Sequence, residues 1–158
     1  MSEIVYTQLI DLLNVNPNCI ETIKENYLLL LSELTSTNYL ENNIFLNNVE
    51  RINKMGSIIV GVVKDIRNDT FEIIASGTII IEPKIMRDGK NVGHIEDIVV
   101  AKHMRGKGIA SKIIVILKQI AKENDCYKVI LDCNEQVKNI YIKNDFELKG
   151  IQMAKYFD

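Results

Sequence analysis

No stretch of this chain is apolar for long enough to cross a bilayer; a run such as Tyr27 to Leu31 is far too short. An excess of one charge is missing too. Nineteen Lys and Arg against 21 Asp and Glu leave a net charge of −2, which gives no bulk footprint for nucleic acid or an acidic membrane. Cysteine is sparse. Cys19, Cys126 and Cys133 are odd in number and lack metal-ligand spacing, so no metal is expected and a reduced, cytoplasmic setting is the simplest reading. The opening MSEIVYTQLIDLLN has neither a basic n-region nor a cleavage signature, so no leader is expected. Internal repeats and low-complexity linkers are absent, and residues 1–158 read as one domain. What is present, 47% hydrophobic and 25% charged residues, suits a soluble globular protein with a real core.

The chain is organised around Gly93 to Ser111, GHIEDIVVAKHMRGKGIAS. Ile95 and Ile98-Val99-Val100 are apolar and β-branched, which predicts a buried strand. Ile109, Ile113, Ile114, Leu117, Ile120 and Ala121 then recur at helical spacing. Arg105-Gly106-Lys107-Gly108 lies between them. A strand, a Gly-rich turn and a helix start form an anion site, because the first helical amides lack partners and the macrodipole adds positive potential. The loop is not a P-loop, since Gly-Lys-Ser/Thr is missing, and its glycine spacing is not the dinucleotide fingerprint.

Around this centre the sequence predicts a strand at Ile4 to Leu9 and a helix carrying the stripe Ile20, Ile23, Tyr27, Leu30, Leu31 and Leu34. A second helix capped by Thr37 or Asn38 runs through Asn53. Ser57 to Val63 and Phe71 to Ile81 read as a hairpin turning at Asp65 to Asp69. After the long helix come a strand at Tyr127 to Cys133, a short helix at Asn134 to Lys143, and two last strands at Phe146 to Lys149 and Gln152 to Phe157. The fold class is α+β (mixed α/β).

Arg105, Gly108 and Ala110 fill the slots of the Arg/Gln-x-x-Gly-x-Gly/Ala motif, and the chain resembles the GNAT acetyltransferases. Asn134 followed seven residues later by Tyr141, then Phe146, fits the downstream helix of that family, with Asp145 in place of its usual Gly. GHIEDIVV, Cys126-Tyr127-Lys128 leading into Ile130 to Cys133, and Ile79 to Lys84 resemble one branch more closely, the eukaryotic-type glucosamine-6-phosphate N-acetyltransferases. The likeness implies a mostly antiparallel central sheet flanked by helices, acetyl-CoA as cosubstrate, an amino sugar phosphate as acceptor, and a homodimer exchanging its C-terminal strands.

The resemblance also implies roles. Ile98, Val99, Val100, Arg105, Gly106, Lys107, Gly108, Ile109, Ala110, Ser111, Asn134 and Tyr141 match acetyl-CoA positions. Thr35, Lys84, Ile85, Met86, Arg87, Glu96, Asp97, Ile98, Tyr127 and Lys128 match sugar-phosphate positions, and Lys155 stands near the family's C-terminal Arg. Tyr141, Asp132, Glu96 and Asp97 match the catalytic set, with a backbone amide near Val99 as the donor to the thioester oxygen. From the residues alone, strand alternation should turn one of Glu96 and Asp97 toward a buried side or a cleft. Tyr141 on an amphipathic helix is more often a core residue than a catalytic one, and His94 before a strand reads as structural. Two other functions remain open: acetylation of another amine, or a non-catalytic CoA-binding domain.

Overall fold

The computed structural model describes residues 3–65 and 70–157. Five strands form one sheet in the order β1 (Ile4–Gln8), β2 (Gly56–Asp65), β3 (Thr70–Pro83), β4 (Asn91–Val100) and β5 (Cys126–Ile130). The first four pair antiparallel, and β5 joins β4 in parallel. The expected turn at 65–69 lies, beyond Asp65, outside the described residues. Helices α1 (Leu9–Val15), α2 (Ile20–Leu31) and α3 (Asn42–Met55) precede the hairpin, α4 (Ile109–Glu123) joins β4 to β5, and α5 (Lys138–Ile142) follows β5.

Adjacent residues of β3 show how the layers sit. Ser76 Oγ donates to the hydroxyl of Tyr27 on α2 at 3.3 Å. A Cβ on Gly77 would meet Ile113 and Leu117 of α4. Successive strand residues face opposite sides, so α2 and α4 cover opposite faces. The core is aliphatic on both sides: Ile23, Ile74, Val60 and Leu9 from one layer set, and Ile79, Ile113, Ile114 and Leu117 from the other, are all fully buried.

Several expectations are corrected. Leu9, Leu12 and Leu13, spaced for one helix face, are buried and form α1, which the sequence reading did not separate from its neighbours. The second long helix starts at Asn42 rather than Thr37 or Asn38. Thr37 Oγ1 instead donates to Leu28 O, and the Tyr39 ring lies 4.8 Å from Lys24 Nζ, so this segment is laid against α2. The strand expected through Cys133 stops at Ile130, and α5 is five residues long. The two C-terminal strands are not formed. A strand exists only with a ladder partner, and 146–157 has none among the described residues; Leu148, Ile151, Met153, Tyr156 and Phe157 are exposed.

Candidate active site

The site begins where two parallel strands part. β4 and β5 pair from Asn91 opposite Cys126 to His94 opposite Ile130 and then separate. β4 runs on to Val100 while the other chain path leaves as a loop, opening a cleft between Glu96–Val100 and Leu131–Asn134.

A β-bulge aims the carboxylates into this region. Ser76 pairs with Val99 and Thr78 with Glu96, so Gly77 faces both Asp97 and Ile98. Asp97 takes φ of 53°, the left-handed conformation that Asp tolerates better than most residues. The bulge breaks the alternation, and Glu96 and Asp97 are both exposed. Of the two outcomes expected, a buried side or a cleft, the buried side is thereby excluded for both residues. Glu96 holds its proton more tightly than an ordinary carboxyl, first because it is partly desolvated, then because Asp97 and Asp132 add negative charge; His94 acts the other way. Three carboxylates thus share one region. Such a group attracts an ammonium ion and gives Glu96 a stronger hold on a proton.

Asp132 lies two residues beyond β5, exposed, and its Oδ2 accepts from Gln152 Nε2 at 3.0 Å. Gln152 is a contact that sequence reasoning missed. His94 Nε2 sits 2.7 Å from Glu82 Oε2, and Glu82 also holds Lys84. Those two partners, Lys84 before His94, keep the Glu82 carboxyl below its usual range.

The backbone of β4 offers a donor. Ala101 N donates to Ile74 O at 2.8 Å. In an antiparallel ladder bonded and non-bonded pairs alternate, so Val99 opposite Ser76 also bonds to β3, and the Val100 N–H points to the cleft side. The open donor is therefore on Val100, one residue past Val99.

The turn into α4 has the features an anion needs. Gly106 and Gly108 have φ of 77° and 76°, a conformation that a side chain would strain. A Cβ at either would meet nothing within 4 Å, so the turn is open to approach. No side chain caps α4, and its first internal bond is Lys112 N to Gly108 O. The amides of Ile109, Ala110 and Ser111 are left for a ligand. These residues fit a diphosphate. Lys107 is exposed beside Met104, and Arg105 is engaged with Val100 O and Glu33. Ser111 Oγ accepts from the buried Asn144, which docks the end of α5 on α4.

Tyr141 on α5 is half-buried, its ring edge-on to Phe146 at 6.1 Å between centroids. Burial raises the affinity of its hydroxyl for the proton, and the nearby Cys133 adds to this. Asp145, where the family has Gly, takes φ of 68° and pairs with Lys118 at 3.2 Å, so the departure keeps the left-handed turn. Asn134 Oδ1 accepts from Val137 N and shapes the turn before α5.

The sugar-phosphate positions fall into separate groups. Arg87 and Lys128 lie 5.6 and 5.5 Å from the Tyr127 ring and form one cationic patch. Ile85 and Met86 are exposed beside it. Lys128 is level with Val92, so the patch is about 13 Å along β4 from Glu96 at ~3.3 Å per residue. Thr35 lies in the turn after α2, exposed, and Lys155 is exposed in the C-terminal segment.

Comparison with known proteins follows the same lines. A solved glucosamine-6-phosphate N-acetyltransferase from Arabidopsis thaliana superposes with a TM-score of 0.82 at 32% identity, covering 99% of each chain. Glucosamine 6-phosphate N-acetyltransferase 1 of Dictyostelium discoideum is 36% identical over 149 residues, 92% of each chain. A probable glucosamine 6-phosphate N-acetyltransferase 2 of Oryza sativa subsp. japonica is 47% identical over 85 residues, 54% of this chain and about half (51%) of that protein. The acetyltransferase (GNAT) family profile matches residues 29–146, which span the splayed strands, the bulge, the uncapped helix start and the tyrosine. The chain belongs to the acetyltransferase (GNAT) family.

Proposed function

We propose that the protein transfers the acetyl group of acetyl-CoA to the amine of glucosamine 6-phosphate. The observation that carries this reading is the carboxylate group Glu96, Asp97 and Asp132 where β4 and β5 part, on the strand that leads into the uncapped start of α4. The likeness to glucosamine 6-phosphate N-acetyltransferases along nearly the whole chain supports the choice of acceptor. Arg87, Lys128 and Lys84 favour a phosphorylated amine over a polyamine, which would be repelled by them.

Acetyl-CoA supplies an acyl group already activated as a thioester. The amides of Ile109 to Ser111 hold its diphosphate, and the Val100 N–H donates to the carbonyl oxygen as negative charge gathers there. Glu96 and its neighbours draw in the sugar ammonium and take its first proton, leaving a nucleophilic amine. A C–N bond forms, the C–S bond breaks, and the carboxylates take the second amine proton. Tyr141 O–H donates to the departing sulfur; one of the two protons ends on the thiol and the other goes to water. Both substrates are bound together, with no acetyl-enzyme.

A homodimer completes the reading. The separation of about 13 Å between the cationic patch and Glu96, and the exposed apolar side chains of 146–157, suit a C-terminal segment that pairs with a second copy and a site shared between subunits. The cytoplasm, where acetyl-CoA and sugar phosphates are available, is the setting proposed. A thiol-release assay over glucosamine 6-phosphate, spermidine, a lysine peptide and a peptide with a free α-amine tests the reading. Turnover led by the sugar phosphate supports it; a faster reaction with any other amine defeats it.

A further inference from the structure

Arg105 stands in the first slot of the loop motif, where its charge invites the role of a diphosphate ligand. Its guanidinium is already engaged. Nε donates to Val100 O at 2.9 Å, and Nη2 to Glu33 Oε2 at 2.9 Å. Glu33 does more than pair with it. Both carboxylate oxygens accept from Lys102 N, at 3.2 and 3.0 Å. Glu33 sits in the turn after α2, its own amide bonded to Leu30 O, with a side chain only 22% accessible. One carboxylate thus grips both ends of the segment Lys102–Arg105, and Arg105 reaches back to the last residue of β4. Glu33 lies two residues before Thr35, so the clasp joins the turn carrying Thr35 to the loop that starts α4.

We infer that Arg105 and Glu33 are positioning residues for acetyl-CoA: together they fix the Lys102–Gly108 loop so that the amides at the head of α4 face the diphosphate, and Arg105 neutralises the Glu33 carboxylate beside that anion. The inference rests on the reading of this loop as the CoA diphosphate site. Charge-assisted bonds of this geometry hold a segment more firmly than neutral ones. A Gly-rich loop needs that hold, because Gly106 and Gly108 give it more freedom to lose on binding.

The two roles make different predictions for charge. Without Arg105, the loop is released and the Glu33 carboxylate is left unpaired near an incoming anion. Without Glu33, the loop is released while Arg105 keeps its bond to Val100 O, which holds its charge on β4 and away from the anion. Without both, the repulsion disappears. Coupling changes of this kind move affinity by about two- to thirtyfold. CoA binding should therefore weaken about threefold in Glu33→Gln, about tenfold in Arg105→Gln, and only about threefold in the double variant. If Arg105 instead gripped the diphosphate directly, Glu33→Gln would free it, and CoA would bind as tightly as before or more tightly. The double variant would then be as weak as Arg105→Gln.

The test is calorimetric titration of each purified variant with CoA, alongside amide hydrogen exchange of residues 101–108 in the free protein. Weaker binding in Glu33→Gln, recovery in the double variant, and faster loop exchange at an unchanged melting temperature are expected. Unchanged or tighter binding in Glu33→Gln, or no recovery in the double variant, overturns the inference while leaving the diphosphate site standing. No CoA binding by the unaltered protein overturns both. Should Arg105→Gln fail to fold, Glu33→Gln decides alone by the direction of its change.

Discussion

Replacing Gly77 by Ala tests how the bulge that presents Glu96 and Asp97 is held. A Cβ at this position would lie 2.5 Å from Ile98 Cδ1, 2.6 Å from Ile113 Cγ2 and 3.0 Å from Leu117 Cδ1. All three are side-chain ends, but Ile113 and Leu117 are fully buried, so they have little room to yield. Overpacking of a core by one methyl costs about 1–3 kcal/mol. For a chain of this size each kcal/mol lowers Tm by roughly 2–4 °C, so a fall of about 2–12 °C is expected. Gly61→Ala is the control: its Cβ would meet Tyr6, Ala75 and Ile4 at 3.3–3.5 Å, close to ordinary contact, and its Tm should move by no more than about 2–4 °C. Differential scanning calorimetry of the two variants gives the comparison. The clash also pushes on Ile98, the second bulge residue, so kcat for Gly77→Ala should fall at temperatures well below its Tm. A Gly77→Ala protein as stable and as active as the parent would refute the account of the bulge.

Tyr141→Phe keeps the ring packed on Phe146 and removes the donor to sulfur; kcat should fall about tenfold or more with both KM values near native, as for loss of a charge-stabilising donor, while kcat within twofold of the parent would return Tyr141 to the core. Glu96→Gln should raise Tm at neutral pH. The folded Glu96 has its proton affinity raised above that of an ordinary, unfolded glutamate, so its ionisation costs stability once pH exceeds both values. The cost shrinks as pH falls through the raised value and is gone below the unfolded one. The Tm gain should therefore vanish on acidification, and a gain that persists in acid would assign it to something other than charge. Sedimentation at micromolar concentration should give a dimer, and deleting 147–157 should yield a monomer with little activity; an active monomer would remove the shared site.

The parts of this protein that local pattern governs were legible in the sequence. β-branched runs marked β2, β3 and β4, and the six-residue apolar stripe of α4 marked its buried face. The Gly-rich turn marked an anion site, and its two glycines take the left-handed backbone in the structure. Features set by pairing between distant segments were not legible. Strict alternation could not foresee that β4 holds an extra residue against Gly77. Nothing near Glu33 in the sequence points to Arg105, 72 residues away. The C-terminal segment has the composition of a strand but no partner among the described residues of its own chain, so composition alone overstated it. The catalytic candidates came from the family likeness; partial burial, then the charges of Asp97 and Asp132, explain why Glu96 holds its proton more tightly than an ordinary carboxyl.

The central claim is that a phosphorylated amino sugar is the acceptor, and the ratio of kcat/KM for glucosamine 6-phosphate to that for glucosamine measures it most directly. A phosphate held by two charged side chains gains on the order of 3 kcal/mol, or about a hundredfold. The account predicts a ratio of at least that size by thiol release, shrinking as salt is added because exposed charges are screened. Equal values for the two sugars, in protein that is folded and binds CoA, would contradict it.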